Sequence, residues 1–304
     1  MNAPSDEQLS VVANIQVGVQ PVGVAVDVHD HVFVTNSGSN TVSVIDSLTN
    51  TVSTTINVGL RPEGVATDPQ FGVCVANSGS RTMSMIDRFN AVVATVSTGG
   101  PPGLSFGTRV AVDHILSRAY MTNRFGDRVS VFHISSDPLP FTRDFIGVTG
   151  SLGVAVDSLN HRVYVTRPDA NAVSVVDPAK NEVVATVPVH QQPSGIAVDA
   201  QRHRAYVANL GFDAVSVIDT DNGSVTDVTV AAGPNDVTLD SRGNVYVTHV
   251  DGTVTVLDAT SHNVNAIIPV GSHPEGLAFE PHSDRVYVAN RDNGTVTAVG
   301  LSPS

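Results

Sequence analysis

The residues of this chain best suited to chemistry are His249 and the run His273-Pro274-Glu275. Imidazole can act as a general base near neutral pH, and a carboxylate can orient it or hold a cation. His249, His273 and Glu275 together therefore suit acid–base catalysis on a small molecule. Arg109, Arg124, Arg167 and Arg291 can receive an anionic group, because a guanidinium matches the two oxygens of a carboxylate. Glu63, Asp236 and Phe106 complete the candidate substrate contacts. A base beside carboxylates leaves room for a divalent metal, magnesium or calcium, although no ligand set is defined.

These residues stand out because they interrupt a repeat. Its cleanest copy reads Pro21-Val22-Gly23-Val24-Ala25-Val26-Asp27, then Val32-Phe33-Val34-Thr35-Asn36, then Thr41-Val42-Ser43-Val44-Ile45-Asp46, then Val52 through Gly59. Each phrase is short, rich in β-branched residues and closed by Asp, Asn or Gly, so each reads as a strand ending in a turn. Asp68, Asp113, Asp157, Asp199, Asp240 and Glu280 close later first phrases at intervals of about 40 to 45 residues, the period of a four-stranded propeller blade. The repeat asparagine of Asn36, Asn77, Asn123, Asn209 and Asn290 becomes Arg167 and His249. The repeat glycine of Gly23, Gly64, Gly153, Gly195 and Gly276 becomes Arg109 and Asp236, and Glu63 and Glu275 stand just before two of these glycines.

The middle phrase recurs as Val73-Cys74-Val75-Ala76-Asn77, Ala119-Tyr120-Met121-Thr122-Asn123, Val163-Tyr164-Val165-Thr166-Arg167, Ala205-Tyr206-Val207-Ala208-Asn209, Val245-Tyr246-Val247-Thr248-His249 and Val286-Tyr287-Val288-Ala289-Asn290. In these phrases the chain resembles the YVTN-type β-propeller repeat family over nearly its whole length. The expected fold is all-β: a seven-bladed propeller forming one domain over 1–304, with four antiparallel strands per blade. The blades fall near 20–59, 60–100, 101–148, 149–189, 190–230, 231–271 and 272–301. Residues 11–18 match a fourth phrase without its first three, so they are expected to close the last blade as its outer strand and remove the open edges. As a stand-alone propeller the chain is also similar in organisation to the virginiamycin B lyase-like propellers. That resemblance implies a histidine base and a magnesium ion opening a cyclic ester by elimination. The Trp-Phe-Thr signature of that group is missing, since the chain has no tryptophan.

Strands alternate in direction within a blade, which gives each histidine an end of the propeller. Most fall in turns at the far end, whereas His190, His249 and His273 fall on the face where one blade connects to the next. Loops from all blades share a concavity there. The stretch from Gly99 to Arg109, with two prolines and four glycines, is either a shaped lid on that face or a tolerated insertion.

Composition limits the alternatives. The net charge of -13 is mostly scaffold, because eleven aspartates end first or third strands, where short carboxylates bond turn amides. With one lysine, Lys180, and no basic stripe, nucleic acid is not an expected partner. No apolar run is long enough to span a bilayer as a helix, and the polar, acidic start does not read as a secretory leader, so the expectation is a cytoplasmic monomer. The lone Cys74 takes a position that other copies fill with tyrosine and reads as a buried thiol. Phosphate-loop, zinc-helix and nucleophile-elbow motifs are absent, and Asp219-Thr220-Asp221-Asn222-Gly223 reads as a turn rather than a calcium loop. Two functions remain: a lyase or hydrolase working at the mouth of the central channel on a substrate with an anionic, ester or lactone group, and a non-catalytic scaffold that binds a ligand or protein.

Overall fold

The computed structural model describes residues 8–98, 108–134 and 143–301. Phe106 and residues 99–107 of the long connection lie outside the described residues. Seven four-stranded antiparallel sheets form a ring. Six take consecutive strands, at 21–57, 62–97, 110–146, 154–188, 193–229 and 234–269. The seventh takes three strands from 274–301 and its fourth from Leu9–Gln16.

That N-terminal strand pairs antiparallel with Thr295–Leu301, from Leu9 opposite Leu301 to Gln16 opposite Thr295, with one bulge between Val11 and Ala13. Its register is fixed by chemistry on both faces. Ile15 is buried among Val24, Tyr287 and Val296, and the Thr297 hydroxyl donates to Asn14 Oδ1 at 2.7 Å. Ring closure is thus a pairing of chain ends, and it covers an edge of the seventh sheet.

The core consists of wedges between neighbouring blades. Val32 and Val34 of blade one meet Tyr287 and Ala289 of blade seven, and Phe33 of blade one meets Val65 and Val75 of blade two. Both faces of the inner strands are therefore covered, and Val32, Phe33 and Val34 form a continuous buried run instead of an alternating one. Outer strands cover only one side and alternate, as Thr51–Asn57 does. Tyr120, Tyr206 and Tyr287 are completely buried in the wedges. Cys74, in the same register, is buried beside Met83 and Met85, whose long side chains fill the room its short one leaves.

The acidic scaffold residues behave as turn acceptors. Asp46 Oδ1 receives the amides of Leu48 and Thr49, both at 2.9 Å, and these bonds hold its carboxyl below the ordinary carboxylate range. Asp219 Oδ1 receives the amides of Asp221 and Asn222, so Asp219–Gly223 is a turn. Among the described residues no helix is long and apolar enough to cross a membrane.

Candidate functional site at the channel mouth

Innermost strands approach their neighbours closely at the repeat glycine, which in five blades stands or would stand two residues after the opening proline. A Cβ built on Gly23 would lie 2.3 Å from the Glu63 carbonyl oxygen, and one on Gly153 would lie 2.2 Å from that of Ser194. Backbone meets backbone there, which explains the repeat glycine. Threonine stitches several of these contacts. The Thr35 hydroxyl receives the Gly23 amide at 2.8 Å and donates to the Glu63 carbonyl at 2.7 Å. Thr166 does the same between Gly153 and Ser194, and Thr248 between Asp236 and Glu275.

Arg109 and Asp236 are the two residues in this ring that carry long or charged side chains. Blades three and six lie as far apart as a seven-membered ring allows, yet Arg109 Nη1 stands 3.1 Å from Asp236 Oδ2. The pair therefore spans the axis. Both residues line an axial cavity of about 150 Å³, together with the repeat glycines. The side chains are only 18% and 15% exposed.

Above the pair lies a mouth of about 250 Å³, bounded by Arg61, Glu63, Arg109, Asn235, Glu275 and Arg291 among others. Glu63 Oε1 accepts from Arg61 Nη2 at 3.2 Å and from the Ser78 hydroxyl at 2.9 Å. Glu275 accepts from Asn235 Nδ2 at 3.0 Å and from Arg291 Nη1 at 3.2 Å. Burial alone would lower the pKa of Arg109, but the charges of Asp236, Glu275 and Glu63 outweigh it and the net shift is upward. Asp236 is lifted above the ordinary carboxylate range by burial, against the pull of Arg109 and of the Val237 amide. The mouth thus holds a fixed cation and a carboxyl whose proton is retained to higher pH than usual.

The structure gathers Arg109, Asp236, Glu63, Glu275 and Arg291 in one place and leaves the other described candidates outside it. Arg124 instead forms a two-pronged pair with Asp169, with Nη2 to Oδ1 at 2.7 Å. Arg167 Nε donates to the Thr149 carbonyl at 3.2 Å. His249 and His273 are not among the residues lining the mouth. His249, expected on the face where blades connect, is fully buried at the end of Val245–His249. In the same register, Asn36 accepts the Gly18 amide and donates to Thr41 and Ser43, clamping the interblade loop. Among the described residues His249 has no hydrogen-bond partner at either of its buried ring nitrogens, and burial pushes its pKa down. His273 is exposed, with its Nδ1 2.9 Å from Asp292 Oδ2. Its φ of 49° matches Gln20, Arg61 and Gln192 at the same turn position, so its place is a feature of the repeat.

Arg61 and Asn235 join the mouth without having been singled out by the sequence reading. Asn235 was findable, since it follows Pro234 in the register that puts Glu63 and Glu275 there. Arg61 precedes its proline at a position where other blades carry Gln20, Gly150, Gln192, Gly233 and His273, and nothing in its neighbours marks it. A divalent ion does not fit this donor set: the Glu63, Asp236 and Glu275 carboxylates each face an arginine, and a second cation would be repelled. Among the described residues no group of three or more His, Cys, Asp or Glu is placed to hold a metal.

No family model matches the chain, and no curated protein matches it either. Solved structures do. Virginiamycin B lyase from Staphylococcus aureus superposes with a TM-score of 0.82 at 13% identity, covering 97% of this chain and all of that one. A hydrazine synthase chain from Kuenenia stuttgartiensis gives 0.80 at 16% identity, covering both chains completely. The β-propeller domain of Cps50 (Swd1) from Myceliophteria thermophila gives 0.81 at 9% identity, over 97% of this chain and all of that one. At such identities the likeness establishes the architecture, and the chain is a seven-bladed β-propeller.

Proposed function

We propose that this protein is a small-molecule enzyme of lyase or hydrolase type, working at the channel mouth on a substrate with an anionic, ester or lactone group. The observation that carries the proposal is the Arg109–Asp236 pair with Glu63 and Glu275 around it. Seven near-identical blades would leave this face uniform, and here charge is concentrated at one place. The similarity in fold to virginiamycin B lyase and to a streptogramin B lyase supports the class of reaction.

The residues present supply the parts such a reaction needs. In an elimination a base takes a C–H proton while the bond from carbon to a leaving oxygen breaks; in a hydrolysis the base takes the proton of an attacking water. Asp236 and Glu275 are the carboxylates placed to move that proton. Arg109 and Arg291 are placed to receive the negative charge that develops on oxygen.

A second reading, a ligand-binding propeller without chemistry, is favoured by the arginine partners that the mouth carboxylates already have. The experiment that separates the two is a thermal-shift screen of carboxylates, cyclic esters and lactones, followed by a turnover assay on each stabilising compound. Turnover that falls about a hundredfold or more in Glu275→Gln, with the melting temperature kept, supports the enzyme. Stabilisation by a compound that is never converted supports the binding reading, and ligands whose shift survives Arg109→Met and Glu275→Gln overturn the site.

A further inference from the structure

On the end of the propeller opposite the mouth, a cleft of about 320 Å³ opens between blades one and two. Its walls are aromatic in a chain poor in aromatics. Phe33, Phe71 and Phe89, three of the ten phenylalanines, line it with His29 and His31. The His31 ring stands edge-on to Phe33 with centroids 6.3 Å apart, and Asp27 fixes it through Nδ1 at 3.1 Å. Phe89 is 74% exposed and already carries the Arg88 guanidinium over its face, 4.8 Å from the centroid. A ring this exposed at the rim of a cavity is available for stacking.

The same cleft holds charge without a partner. Asp68 Oδ1 receives the amides of Gln70 and Phe71, but the buried Oδ2 has no hydrogen-bond partner. In blades four, five and six the equivalent oxygen is satisfied, by Asn160 on Asp157, Arg202 on Asp199 and Asn244 on Asp240. The repeat therefore provides a donor at this place in several blades and omits it in blades two and three; Asp113 of blade three is fully buried, whereas Asp68 of blade two lines a cavity. Asp87 adds a second carboxylate, its Oδ1 engaged by the amides of Phe89 and Ala91. A buried carboxylate oxygen left without a donor is costly, and a ligand that brings an N–H offsets the cost.

We propose that this cleft is a second binding site, separate from the channel mouth, for an aromatic amine: a primary ammonium joined by a short chain to an aryl ring. The ammonium sits in the field of Asp68 and Asp87, and the ring packs among Phe71, Phe89 and His29. Charge at one end and aromatic surface at the other select for both halves of such a molecule.

Calorimetric titration with 2-phenylethylammonium tests this, with 2-phenylethanol and phenylacetate as controls. The expected result is saturable one-to-one binding of the amine, with the alcohol and the acid weaker by about tenfold or more. Asp68→Asn keeps the Oδ1 acceptor for the turn amides, so it should fold normally and bind the amine about tenfold more weakly. Phe89→Ser changes an exposed residue and should also weaken binding, while Asp236→Asn at the mouth should leave it unchanged. No saturable binding by the wild type, equal binding of the alcohol, or wild-type affinity in both Asp68→Asn and Phe89→Ser would overturn the proposal.

Discussion

Removing Arg109 should cost this protein more than removing the charge of Asp236, although the two residues form one ion pair. Asp236→Asn keeps the shape and leaves Arg109 close to Glu275 and Glu63, which still compensate its charge. The loss is that of one ion-pair contact, offset by relief of the buried Asp236 charge, and so at most about 1.5 kcal/mol. Arg109→Met takes the cation from the middle of Asp236, Glu63 and Glu275 and leaves like charges facing one another in a narrow channel. Breaking a buried pair in this way costs about 3 to 5 kcal/mol, and the residual exposure of 18% and 15% puts the value at the lower end. With an unfolding entropy of about 2.1 cal/mol/K per residue over 304 residues, 3 kcal/mol corresponds to roughly 5 °C in melting temperature, and 1.5 kcal/mol to about half that. Calorimetric melting of the two variants between pH 4 and pH 8 supplies the assay. The folded pKa of Asp236 lies above its unfolded value, so its contribution to stability is complete below the unfolded pKa and is lost as pH rises through the folded one. Arg109→Met should exaggerate that loss, recovering much of its stability in acid, and Asp236→Asn should abolish it. Equal shifts for the two variants, or a larger one for Asp236→Asn, would refute the view that three carboxylates share one arginine.

Deleting the chain through Gln16 should expose the edge of Thr295–Leu301 and give an aggregated or strongly destabilised protein, read by size-exclusion chromatography and melting; a monomer with an unchanged melting temperature contradicts closure by pairing. Thr35→Val should lower stability by about 1 to 3 kcal/mol in chemical denaturation, since it orphans the Gly23 amide and the Glu63 carbonyl together, and a neutral result would show that the threonine stitch is dispensable. His249 has a folded pKa below its unfolded value, so stability should fall as pH drops through the unfolded histidine range; His249→Asn, restoring the repeat residue, should flatten that slope, and an unchanged slope would place the effect elsewhere. Burial pushes the Cys74 thiol up to about 12, so native protein at pH 8 should resist iodoacetamide until it unfolds, and rapid labelling would contradict the packing of blade two.

Much of the fold was legible because a propeller repeats its instructions. Period-two phrases, turn aspartates and the spare N-terminal phrase each specify a local pairing, and local pairings add up to a ring only if the last one closes on the first. Cys74 was readable for the same reason, since its register with Tyr164 and Tyr206 settles its burial. Breaks in the repeat also marked residues that the structure gathers around the mouth: Arg109, Asp236, Glu63 and Glu275 depart from a consensus whose glycine is imposed by backbone contact. His249 departs from the consensus too, but its ring is buried with neither nitrogen hydrogen-bonded. A sequence shows that a position differs without showing whether its side chain turns toward solvent or into the wedge, and strand ends allow either. What only the tertiary structure decided is partnership across the ring. Arg109 and Asp236 are separated by three blades in sequence and by 3.1 Å in space, because a closed ring brings its far sides together at the axis. That distance depends on the number of blades and on their tilt, which no single repeat encodes.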